Sequence, residues 1–154
     1  MNLIDIVSAA IVVDTCTMLI LMHFNVGGKK VREWYRSYRI GAYMMDILSL
    51  IIGVFIATRF LPNVLWIQLI GVIVIQMAHD IAFGLFVQKN NNGGVLKLFK
   101  EYADEMGIHI LWADASMMLS TVVTARALSK LDTQDSLFVG FVGFYLGLLT
   151  VYSF

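Results

Sequence analysis

Five long apolar runs divide this chain, and each is close to the length a helix needs to cross a bilayer. They cover roughly 3–24, 40–61, 64–87, 107–128 and 137–154. A helix rises about 1.5 Å per residue, so about 20 residues span a hydrocarbon core of about 30 Å. Backbone in lipid must satisfy its own hydrogen bonds, and no run alternates with period two, so helices are expected rather than a barrel. The composition agrees. Apolar residues make up 59% of the 154 residues and charged residues 14%, and a soluble domain of this size cannot hide that much apolar surface. The expected fold class is all-α: one polytopic transmembrane helix bundle over 1–154, with four or five spans and amphipathic interfacial helices. The fifth run is the shortest, so four spans plus a peripheral tail is the other arrangement. No basic residue precedes the first run, and Asp5 and Asp14 interrupt it. It therefore reads as a retained span rather than a signal peptide.

The connections carry the charge. Pro62, the only proline, stops the second run, and Asn90-Asn91-Asn92-Gly93-Gly94 is a loop signal. Eight of the eleven Lys and Arg residues fall on one side: Lys29, Lys30, Arg32, Arg36, Arg39, Lys89, Lys97 and Lys100. The opposite side holds Arg59, Arg126 and Lys130. The positive-inside tendency places the richer side in the cytoplasm. Between residues 29 and 39, Val31, Trp34, Tyr35 and Tyr38 recur at helical spacing, with most basic residues on the other face. This is the pattern of an interfacial helix with headgroup-level aromatics. Val95, Leu98, Phe99, Tyr102 and Met106 form a second stripe, and a bend is expected at Gly107 before the fourth run. Lys29, Lys30, Arg32, Trp34, Tyr35, Arg36, Arg39, Lys97 and Lys100 are the expected lipid or partner contacts.

Four runs each carry one internal aspartate: Asp14, Asp46, Asp80 and Asp114. Counted from the run ends at the basic side, Asp46, Asp80 and Asp114 lie roughly 10–12 Å deep and Asp14 about 16 Å deep. An aspartate at such depth costs at least about 2.5–3.5 kcal/mol, so these side chains should face the bundle interior. Gln76, His79 and His109 share that half of the chain, and the seven residues form the expected intramembrane polar cluster. No Lys or Arg lies at that depth, so protonation, hydroxyls, histidine, water, a cation or a partner must compensate. Two readings follow. The cluster is interhelical hydrogen-bonding glue, or it lines a proton or cation path. His79 and Asp80 are adjacent, which points them about 100° apart on a helix, so joint chelation is not expected.

Gly140, Gly143 and Gly147 form a small-residue face on the last run. It permits close helix packing within the bundle, or self-association into an oligomer. Cys16 is the single cysteine, which leaves no internal disulfide and no cysteine-based metal site. There is no Walker loop, Gly-x-Ser-x-Gly, His-Glu-x-x-His or Cys-x-x-Cys, so no enzyme class, metal or cofactor is expected. Zero net charge gives nucleic-acid binding no support.

One resemblance adds to this reading. It is carried by Glu33-Trp34-Tyr35-Arg36-Ser37-Tyr38-Arg39 followed by Asp46, and by Gln76-x-x-His79-Asp80 followed by Phe83-Gly84. It is also carried by the stretch from Phe99 to Gly107 followed by Ala113-Asp114-Ala115-Ser116-Met117-Met118. These resemble small multipass membrane proteins of nucleocytoplasmic large DNA viruses. That family brings no catalytic or binding residues. The resemblance implies a virion internal membrane, or the host membrane it derives from, beneath an icosahedral capsid. The first functional expectation is thus a structural component linking bilayer to neighbouring membrane or capsid proteins. The alternative is a small proton or cation channel or transporter using the aspartate layer.

Overall fold

A computed structural model describes residues 1–24, 26–90 and 93–154. The chain order is α1 (Leu3–Phe24), α2 (Gly28–Tyr38), α3 (Ile40–Phe60), α4 (Leu65–Lys89), α5 (Gly94–Met106), α6 (His109–Leu128) and α7 (Thr133–Val151). The described residues contain no strand. Helices α1, α3, α4 and α7 are each long and apolar enough to cross a membrane, and α5 with α6 adds a fifth span if that bent pair is taken as one. This is the architecture of a multi-pass membrane protein.

The element ends follow local chemistry. Leu61 turns extended, at φ −106° and ψ 153°, as a residue before proline must when the ring of Pro62 crowds the helical region. Gly107 lies at φ +54°, a left-handed conformation that glycine adopts without penalty. There the chain turns by 101° between α5 and α6, so α5 lies across the end of the bundle. Arg39 is the one non-glycine residue with positive φ among those described. It joins α2 to α3, with its guanidinium 5.2 Å over the Tyr152 ring, a cation–π contact that helps hold the turn.

Three expectations need correction. The last run is not a peripheral tail: α7 lies along α1 and begins at Thr133, four residues before its apolar part. The span that falls short by itself is α6, whose polar residues dilute it, although its Met118, Val122 and Ala125 are fully buried. The third run starts and ends slightly later than expected, at Leu65 and Lys89.

α1 is the central element, packed against α7, α6 and α3. Gly140 approaches Ser8, Gly143 approaches Ile11 and Val12, and Gly147 lies against Tyr43 and Thr15. The small-residue face of α7 is therefore occupied within the bundle. Thr15 secures the seam by donating to the Gly143 carbonyl at 3.1 Å and sharing a 2.8 Å hydrogen bond with the Tyr43 hydroxyl. α4 sits at the edge, on α6 and α3. Trp66, Ile70, Val74 and Ile81 on its outer face are more than half exposed, as side chains meeting lipid would be.

Candidate functional site

At the α2/α5 end the bundle opens into a cavity of about 380 Å³. Asp46 on α3, Asp80 on α4 and Asp114 on α6 all line it. They stand six, nine and five residues from their helix ends on that side, which puts all three roughly 8–14 Å deep.

The three carboxylates are held differently. Asp46 accepts a hydrogen bond from the Tyr35 hydroxyl at 2.7 Å and a longer one from the Trp34 indole N–H at 3.3 Å, both on its Oδ2. Asp80 takes the Gln76 amide on Oδ1 at 2.6 Å, and the His79 Nδ1 lies 3.2 Å from the same oxygen. Its other oxygen, Oδ2, is buried and has no partner among the described residues. Asp114 has no hydrogen bond among the described residues.

The expected polar cluster assembles in part. Asp46, Gln76, His79, Asp80 and Asp114 surround the cavity. The His79 ring lies against Asp80 and stacks on Phe83, with ring centroids 5.9 Å apart. The His79 side chain remains 56% exposed, so it stands at the rim. Asp14 lies outside the cavity wall. It is fully buried within electrostatic reach of Asp46, and neither carboxyl oxygen has a partner among the described residues. The expectation that all four aspartates converge in one layer is corrected here, since Asp14 does not line the cavity. His109 is exposed and does not line the cavity.

A lid of α2 and α5 lies over this end, and its Trp34 and Tyr35 side chains turn inward rather than toward lipid headgroups. Val31, Trp34 and Tyr35 are buried because they pack on the bundle. Trp34 lies 4.8 Å from Phe99 of α5, and Tyr35 stacks on Phe154 at 4.9 Å. Only Tyr38 of that stripe remains exposed. Burial, with the charge of Asp46 nearby, pushes the Tyr35 phenol well above its usual range, so it stays a hydrogen-bond donor.

The lid is fastened at its outer edge. Gly27 starts α2 in a left-handed conformation and supplies no side-chain cap. The carboxylate of Glu105 takes that role from α5, accepting the Lys29 N–H at 2.9 Å and the Lys30 N–H at 2.7 Å. A helix N-terminus presents unpaired N–H groups and a positive dipole end, so a carboxylate is well placed there. These backbone hydrogen bonds hold Glu105 below the usual glutamate range. Lys30 bonds Glu101 and Glu33, which raises the Lys30 ammonium and, through Lys30, lowers Glu101. Lys100 pairs with Asp104 at 2.7 Å, and Lys97 lies 3.8 Å from Glu101.

The expected contact set therefore divides. Trp34 and Tyr35 face inward, and Lys30, Lys97 and Lys100 are paired within the lid. Arg32 reaches back to the Gly28 carbonyl at 3.4 Å, and Arg39 covers Tyr152. Lys29 and Arg36 stay exposed without a carboxylate partner among the described residues.

At the opposite end, Arg126 donates to Asn63 at 3.0 Å and to the buried Gln68 at 2.9 Å. The sequence reading used Arg126 only as a topology charge. A signal did exist, since Gln68 stands within an apolar run and would need a partner once buried.

Among the described residues no group of three or more His, Cys, Asp or Glu is placed to hold a metal ion. No family model, curated protein or solved structure matches this chain.

Proposed function

We propose that this protein binds a cation inside the membrane and acts as a small carrier. The observation that carries the reading is the meeting of three aspartates from three helices in one cavity without a Lys or Arg at their level. Lys100, the nearest cation at the rim, is engaged by Asp104. A carrier fits better than an open channel, because the far half of α3, α4 and α6 is closed by Val54, Val72, Met118 and Val122, all fully buried. The reading is non-enzymatic. Its test is flux into liposomes holding the full chain, measured for protons, alkali-metal ions and small ammonium ions. We expect flux of at least one cation in the wild type. In Asp46→Asn or Asp80→Asn it should fall roughly tenfold or more with helicity unchanged. A wild type that neither binds nor moves any of these cations would overturn the proposal.

The resemblance supports a proposal about place, compatible with this activity. The membrane is that of a large DNA virus particle or its host-derived precursor, and the chain also touches neighbouring membrane or capsid proteins. The exposed Lys29 and Arg36 favour such a contact, since neither is held in a salt bridge among the described residues. Cross-linking mass spectrometry on purified particles, through Lys29 and Lys97, would identify the neighbour. Absence of the chain from particles would end this proposal without touching the cavity.

A further inference from the structure

Resting on the cation-cavity reading above, we propose that the occupant is an organic ammonium ion carrying an apolar group, rather than a metal ion or a bare proton. Four observations converge. The first is size. A volume of about 380 Å³ lies in the range of small-molecule sites, roughly 300–1,000 Å³. A bare metal ion would occupy little of it, whereas a small organic cation would fill it.

The second is donor arrangement. The carboxylates stand on separate walls and do not gather three ligands around a point, as a hard cation needs. The third is the wall itself. Trp34 and Phe83 both contact Phe99, with ring centroids 4.8 and 5.2 Å apart. This makes a continuous aromatic surface from the lid to α4. Tyr102 joins it. Such a surface gains from a cation held near ring faces and from the apolar part of the same ligand. A proton needs none of it.

The fourth is an unmet acceptor. Gln76 and His79 both hold Oδ1 of Asp80, which fixes the carboxylate, while the buried Oδ2 has no partner among the described residues. An ammonium N–H would satisfy it. Among the described residues no side chain does so: Lys30 is committed to Glu101 and Glu33, and Lys100 to Asp104.

The test uses the purified full chain in lipid nanodiscs and calorimetric titration with a series from ethylammonium to phenethylammonium chloride. Parallel arms use 2-phenylethanol, potassium chloride and calcium chloride. Expected is saturable binding that tightens along the ammonium series, with 2-phenylethanol not saturating. Affinity should fall roughly tenfold or more in Asp80→Asn and a few-fold, about two to five, in Trp34→Phe. Asp132→Asn, in the α6–α7 turn, should leave it unchanged. Thermal unfolding checks that each variant is folded, and Trp34→Phe keeps an apolar ring in place should Asp80→Asn prove unstable. Equal binding of 2-phenylethanol would overturn the proposal, because charge would then play no part. Binding of potassium or calcium but of no ammonium would overturn it while leaving the cation cavity standing. Binding of nothing in any arm would remove both.

Discussion

Helices α3, α4 and α6 run through both ends of the bundle, yet the two ends are built on different terms. At the Arg126 end the helices close on each other. Met118 packs against Gly53, Val54 and Val122 are fully buried, and the polar groups cross-link, with Arg126 serving Asn63 and Gln68. At the lid end the same helices present Asp46, Asp80 and Asp114 to one another. Like charges that cannot pair resist close approach, and the space between them is left open. It is roofed by α2 and α5, which bring Trp34 and Tyr35 as hydrogen-bond donors. Complementary polar groups draw helices together, and matching ones leave room for something else.

The largest effect is expected from overfilling the close-packed seam of α7 with α1 and α3, which lies beside the open chamber at the same end. A Cβ on Gly147 would land on the Tyr43 ring and hydroxyl. Gly147→Leu should therefore lower stability by about 1–3 kcal/mol, as overpacking does, read by thermal unfolding in detergent. A smaller effect, confined to the lid, is expected from Gly28→Ala. Gly28 lies at φ +78° and its Cβ would meet the Glu105 carboxyl. The left-handed backbone alone should cost about 1–2 kcal/mol. Hydrogen exchange should rise at the Lys29 and Lys30 amides and not along α1 or α7.

Acid should loosen the same fastening without mutation. Glu105 and Glu101 titrate below the ordinary glutamate value of 4.5 when docked. Their contribution is complete above that value and is lost as pH falls through the lowered one. Lid exchange should accordingly quicken below about pH 4, with the Arg126 end unmoved. Smallest of all is Gly84→Ala on the cavity wall, where an added Cβ meets nothing within 4 Å. It should stabilise α4 by up to about 0.5–1 kcal/mol, opposite in sign to Gly147→Leu.

Much of this arrangement was legible in the residues. The ends of α1 and α3, the bend at Gly107 and the common depth of Asp46, Asp80 and Asp114 all follow from run length and helical rise. What escaped has a physical reason. An apolar stripe such as Val31, Trp34 and Tyr35 suits a lipid headgroup layer or a protein neighbour equally well, since both accept apolar surface. The polar tips of Trp34 and Tyr35 were the discriminating feature, because buried indole and phenol groups usually find partners. The start of α7 escaped because Thr133 to Ser136 are polar, although Ser136 is buried and donates to the Leu128 carbonyl. His109 was misplaced because depth along a helix does not say which way a side chain faces.

The bond from Glu105 to the first turn of α2 joins residues 76 positions apart. During synthesis, α2 leaves the ribosome long before its cap exists, and both α3 and α4 are made in the interval. The N–H groups of Lys29 and Lys30 must stay with water until Glu105 arrives. The roof over the three aspartates is thus assembled late, after the helices that carry two of them. The order of translation leaves the chamber without its α5 roof until the helices that carry Asp46 and Asp80 have been made.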